Sequence, residues 1–209
     1  GINNTIMGSF AGDALTDADA NTVVGVTALT ADTKGDATVA VGYGALAQQN
    51  FTTVTTTRNT AVGTNAGYAA TTGTYNTFLG NSAGDANTDA DYNVAVGANA
   101  LTEDELGSQS TAVGYGALQS QDFTTATNSL NTAVGYEAGK ELTTGTSNVF
   151  IGGGAGDNVI DAHHNTVVGQ AAMTADAGDQ NTVMGQSAMN AGTGEHNTVI
   201  GYFAGGQLS

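Results

Sequence analysis

Short apolar runs recur along the whole chain at nearly constant intervals, each closed by a glycine and followed three residues later by an alanine. The pattern reads Asn-Thr-apolar-apolar-Gly-x-x-Ala and occurs twelve times. Its glycine stands at Gly8, Gly25, Gly42, Gly63, Gly80, Gly97, Gly114, Gly135, Gly152, Gly169, Gly185 and Gly201. Successive glycines are 17, 17, 21, 17, 17, 17, 21, 17, 17, 16 and 16 residues apart, and the alanine is present in every copy from Ala11 to Ala204. A period this short excludes helical-hairpin repeats, which need more than about 30 residues. Each copy holds one run of strand-forming residues, such as Thr22-Val23-Val24, that ends where a glycine lets the backbone turn. The pattern predicts an all-β fold, a parallel β-solenoid (β-roll or β-helix) of twelve 16–21-residue repeats. With rungs ~4.8 Å apart, twelve rungs span roughly 55 Å.

A longer period lies on top of the short one. The residue after the alanine runs Gly12, Leu29, Leu46, Gly67, then Gly84, Leu101, Leu118, Gly139, then Gly156, Met173, Met189, Gly205. Motifs therefore come in fours, and residues 73–144 copy 1–72, with Phe123-Thr124-Thr125 answering Phe51-Thr52-Thr53. Residues 1–209 read as one continuous array with superrepeats at approximately 1–72, 73–144 and 145–209. Joined head to tail, Gly201 and the next Gly8 stand 16 residues apart. The array is expected to be an excerpt of a longer tandem protein or a subunit that polymerises end to end.

Alternation along the strands raises a second expectation. The residue before each glycine is apolar, from Met7 and Val24 to Met184 and Ile200, and so is the residue before that, from Ile6 and Val23 to Val183 and Val199. Neighbouring residues point to opposite faces, and a strand apolar on both faces is buried on both. A slim rung has one interior, so the second face is expected to meet another sheet or another chain. The Asn column, Asn4, Asn21, Asn59, Asn76, Asn93, Asn131, Asn148, Asn165, Asn181 and Asn197, is interrupted only by Thr38 and Ser110. Stacked Asn side chains can form an amide ladder; alternatively, each Asn serves its own turn or strand start.

The run Asn131-Thr132-Ala133-Val134-Gly135-Tyr136-Glu137-Ala138-Gly139 resembles repeats in the heads of trimeric autotransporter adhesins. It is closer still to the Asn-Thr-Ala-Val-Gly repeats of some phage tail fibres. The resemblance covers residues 4–205. It implies a parallel β-roll or β-helix, commonly a homotrimer, displayed outside the cell or on a virion.

Composition changes this picture in two ways. Val, Leu, Ile and Phe together number only 38 of 209 residues, and the formal net charge is −16. A fraction below about 20 % with high charge ordinarily marks disorder, but apolar residues in register suffice for a narrow core. Three cations, Lys34, Arg58 and Lys140, against 19 acidic residues speak against nucleic-acid binding and against anionic membrane surfaces. No apolar run is long enough for membrane insertion. The absence of Cys excludes disulfides and thiolate metal sites.

Candidate chemistry is sparse. Asp13, Asp17 and Asp19 recur as Asp85, Asp89 and Asp91, and as Asp157, Asp161 and His163. Carboxylates two and four apart in a loop can ligate calcium, yet no complete calcium loop is present, and solvated acidic turns that keep a fibre soluble are the competing reading. His163, His164 and His196 form no recognised zinc signature. Gly152-Gly153-Gly154-Ala155-Gly156 lacks the lysine of a phosphate loop. Tyr43, Tyr115, Tyr136 and Tyr202 follow the repeat glycine and line one edge of the array. No nucleophile–base set is apparent, so no catalysis and no obligatory cofactor are expected. The leading expectation is a structural block of an extracellular fibre, on an appendage or a virion, with itself as partner, as a homotrimer or a head-to-tail filament. A cell-surface glycan or receptor is a further partner, and an ice- or glycan-binding array a further alternative.

Overall fold

The computed structural model describes residues 1–206. One strand forms in each repeat: β1 (Thr5–Met7), β2 (Thr22–Val24), β4 (Val39–Val41), β6 (Thr60–Val62), β7 (Thr77–Leu79), β8 (Val94–Val96), β10 (Thr111–Val113), β12 (Thr132–Val134), β13 (Val149–Ile151), β14 (Thr166–Val168), β15 (Thr182–Met184) and β16 (Thr198–Ile200). These twelve make a single parallel sheet in sequence order. The fold is a β-solenoid of about twelve turns. Pairing is in register, so that each motif residue stacks on its counterpart: Thr5 on Thr22, Ile6 on Val23, Met7 on Val24.

The two 21-residue intervals are absorbed away from this sheet. β3 (Gly35–Asp36) pairs with β5 (Thr55–Thr56), and β9 (Gly107–Ser108) with β11 (Thr127–Asn128). The four extra residues thus leave the main register untouched, with Val39 on Thr60 and Thr111 on Thr132.

The motif glycine is required twice over. Gly97 has φ +130, and a Cβ placed on it would lie 2.4 Å from the carbonyl oxygen of Gly114 in the next rung. A side chain there would push adjacent rungs apart, which explains the invariance of the column. Away from the strands the corners use left-handed backbone, adopted by 27 non-glycine residues including Leu29, Leu46, Tyr75 and Tyr92. Such a conformation costs an L-residue about 1–2 kcal/mol, so the corners depend on rung-to-rung bonding to hold them. That bonding is continuous: Leu46 donates to Ala66, Gly67 to Ala83, and Gly84 to Ala100.

The core is one narrow column. The middle strand residues Val23, Ala40, Phe78, Ala95 and Phe150 are fully buried, together with the motif alanines from Ala28 to Ala188 and the large residues that follow them. The fourfold alternation is volume matching. Where the strand supplies Ala40, Ala95 or Ala112, the turn supplies Leu46, Leu101 or Leu118. Where the strand supplies Phe78 or Phe150, the turn supplies glycine. A Cβ on Gly84 would lie 2.4 Å from the Phe78 ring, and one on Gly67 would lie 2.6 Å from it. Phe150 sits in the same way against Gly139 and Gly156.

The variant Gly84→Ala therefore combines a left-handed backbone with overpacking. It should lose about 2–4 kcal/mol of unfolding free energy in urea titration. Adding Phe78→Leu should recover part of that loss, whereas two losses that simply add would argue against the paired packing.

Candidate functional site

The outer face of the sheet is the first candidate. A three-residue strand held between two corners points its first and third residues the same way and its second into the core. The sequence expectation that both apolar faces are covered therefore holds for one face only within this chain. The column before the glycine stays partly open, with Leu79 38 %, Ile151 40 % and Met184 47 % exposed. Threonines occupy the first position in nine of the twelve strands, with Val39, Val94 and Val149 in the others. No charged residue lies in any of the twelve. Tyr43, Tyr115, Tyr136 and Tyr202 are exposed, and Tyr115 stacks on Tyr136 at 5.5 Å. At another corner Arg58 lies over Tyr75, 5.2 Å from its centroid, and Tyr75 stacks on Tyr92 at 5.0 Å. Both faces of the Tyr75 ring are thereby covered, which leaves no open platform there for a sugar.

The Asn column is a hydrogen-bonded track that climbs the array. The Asn59 Oδ1 accepts the backbone N–H of Asn76 at 2.8 Å, and the Asn76 Oδ1 accepts that of Asn93 at 2.9 Å. Most of the Nδ2 groups also reach upward: Asn76 donates to the Ala90 carbonyl and Asn93 to the Gly107 carbonyl, both at 2.7 Å, while the Asn165 Nδ2 has no partner. The same pattern joins Asn4 to Asn21 and runs from Asn131 through Asn148, Asn165 and Asn181 to Asn197. The dominant bonds run from side chain to backbone. Direct amide–amide contacts are confined to Asn131–Asn148 and Asn181–Asn197.

A second track runs the other way, two residues upstream. Here the side chain accepts the N–H of the rung below. Asp19 takes that of Ile2, Asp36 that of Asp19, and Asp91 that of Thr74. In the third superrepeat the His163 Nδ1 accepts from Thr146 at 3.0 Å, and Asp179 accepts from His163 at 2.8 Å. His163 thus takes the place of Asp19 and Asp91 in the track. Their signal in the sequence is the fixed place two residues before the Asn column, held by Asp19, Asp36, Asp91, His163 and Asp179.

Thr38 and Ser110 break the Asn track, and the long rungs repair it with a buried polar plug. The Gln49 Nε2 donates to Asp32 at 2.7 Å and to Thr38 at 3.1 Å, while its Oε1 accepts from Asn59 at 2.9 Å. Gln121 repeats the arrangement with Asp104, Ser110 and Asn131. The Asp104 Oδ1 also accepts the N–H groups of Gly107 and Phe123. Desolvation holds the Asp104 carboxyl above its usual range, against the lowering effect of these hydrogen bonds. Sequence reasoning missed both plugs. Their signal was the coincidence of each missing Asn with a long rung carrying Gln and Asp.

The calcium candidates do not converge. Asp13 and Asp17 are exposed, with Asp13 accepting from the Thr30 hydroxyl; Asp89 accepts from Thr72; Asp19 and Asp91 hold backbone N–H groups. Burial raises the carboxyls of Asp85 and Asp157. Among the described residues no three carboxylates or imidazoles are grouped to hold a metal ion. His164 and His196 stand on exposed left-handed corners. A shallow depression is lined by Glu141, Thr143, Asn158, Ile160 and Asp176, with no nucleophile or imidazole base among them. No helix is long and apolar enough to cross a membrane. Comparison with family models, curated proteins and solved structures finds no match to this chain.

One buried side chain stands outside both tracks. Asn87 is fully buried, and neither its Nδ2 nor its Oδ1 has a hydrogen-bond partner. The equivalent residues one superrepeat away are Leu15 and Val159. Asn87→Leu should raise the unfolding free energy by about 1–2 kcal/mol, since an unsatisfied buried amide costs that much or more. Unchanged or lowered stability in urea titration would show that the amide is satisfied.

The raised carboxyls set a pH dependence. Asp85, Asp104 and Asp157 bind their protons more tightly folded than unfolded, so their contribution is fully present below about pH 3.8 and is lost as pH rises through the raised values. The melting temperature should therefore be higher near pH 4 than at pH 7 in dilute calorimetry. A steady fall on acidification would contradict this.

Proposed function

We propose that this chain is a structural building block of an extracellular fibre, a β-solenoid shaft segment of a cell-surface appendage or a virion fibre, with no catalytic role. The observation that carries the reading is the unbroken register of the twelve-stranded sheet. Every interior rung bonds to the rung on each side of it through the strand and the corners, and the side-chain tracks add to this at most rungs. An array of that kind is stiff along its axis, because bending must stretch many hydrogen bonds at once, and its stability sums over nearest-neighbour interfaces. The acidic turns supply a solvated, mutually repulsive coat suited to a long particle.

The Asn-Thr-Ala-Val-Gly resemblance supports the same reading through repeat type. The ice- or glycan-array alternative is the weaker one. The outer strand column varies among Val, Leu, Ile and Met, and the threonine column is interrupted by valine at three rungs.

Electron microscopy of the purified chain should show straight rods at least roughly 55 Å long. Limited proteolysis should spare the rungs, with any early cuts near the loops after Phe51 and Phe123. Flexible beads, or rapid digestion throughout, would overturn the structural role.

A further inference from the structure

We propose that the outer face of the twelve-stranded sheet docks a second copy of this chain, face against face, to make a two-rod dimer. The proposal rests on the fibre reading for its setting and on the face itself for its physics.

Charge selects the face. The chain carries 19 acidic residues against three basic ones, a formal net charge of −16, so two copies repel each other wherever their turns approach. None of the charged residues lies in the twelve strands. The outer face of the sheet is therefore the surface on which two copies meet without placing like charges together. It also carries apolar side chains that the fold leaves open, Leu79, Ile151 and Met184 among them.

Area is adequate for a modest interface. Twelve rungs ~4.8 Å apart and three residues at ~3.3 Å each outline roughly 550 Å². Two such strips bring together about 1,100 Å², above the ~1,000 Å² that a specific contact should clear.

Spacing selects the occupant. A partner that fits between these rungs along the whole length must repeat its own side chains at the rung spacing, and a second copy does so for all twelve. A rigid crystalline surface would demand uniform side chains, whereas this column alternates Met, Val, Leu and Ile. Paired sheets accommodate that variation, since side chains of unequal length interdigitate across a gap of ~10 Å. One flat face meets one flat face, and a twofold axis closes the pair with no face left over.

Sedimentation equilibrium of the full chain should give twice the 20.7 kDa chain mass. Association should strengthen from low to high salt as like-charge repulsion is screened. The double variant Leu79→Lys/Ile151→Lys should weaken association at least 100-fold while circular dichroism and melting stay near wild type. Lysines at the exposed turn positions Val54 and Ile160 should leave the dimer intact. If the first pair perturbs folding, Thr77→Lys/Thr132→Lys tests the same face at its other column.

A monomer at millimolar concentration in high salt, a trimer, or a dimer indifferent to lysines on the sheet would each overturn the proposal. So would thermal hysteresis abolished by those lysines, which would make ice the occupant. Monomeric straight rods would refute the dimer and leave the fibre reading standing. A dimer of flexible particles would do the reverse.

Discussion

In-register stacking of one rung on the next is the constraint on which everything else depends. The motif glycines pass so close to one another that a single Cβ would penetrate the carbonyl of the neighbouring rung. This contact places the strands in one parallel sheet and aligns the corners. It also brings each side chain beside its counterpart one rung above and one below. The 27 non-glycine residues in left-handed conformation are tolerable only in that setting. Each is disfavoured alone, and each is held by backbone bonds to its neighbours.

Polar side chains complete what the backbone leaves open. Where both tracks are present, the Asn side chain accepts an N–H of the next rung and the side chain two residues upstream accepts one of the previous rung, so donors flanking the left-handed corner are satisfied from both sides. The plugs built on Gln49 and Gln121 show how strictly this is maintained. Where Asn is missing, a carboxamide arrives from a different part of the rung, anchored by a buried Asp. An orphaned amide in so narrow a core costs about as much as a hydrogen bond to an adjacent rung contributes. Among the described residues, Asn87, the Asn165 Nδ2, the Asn65 Oδ1 and the Asp122 Oδ1 are the places where this rule is not met.

Segregation of charge follows from the same geometry. The strands, pinned between glycine and Asn, have no room for long solvated side chains inside and carry none outside. Charge collects in the turns, where the chain is free to vary in length and sequence. The result is a rod with an acidic coat and one uncharged stripe. That asymmetry, more than total hydrophobicity, is what suits it to assembly.

The period and the parallel solenoid were legible in the sequence, because a repeating unit must place equivalent residues in equivalent environments, and the twelve glycines carried that information. Which of the two apolar strand columns faces inward was not, since both are apolar throughout. Only the tertiary structure decided what lies beside what across rungs. It paired Phe78 with the empty positions at Gly67 and Gly84, and set Gln49 into the gap at Thr38. It also turned Asp19 and Asp91 from apparent metal ligands into acceptors for backbone N–H groups. It turned the middle strand residue inward and left the column before the glycine partly open in the single chain. The physical reason is that these contacts depend on how a strand, its turn and the neighbouring rung close on one another in space, whereas periodicity reports only which residues are alike.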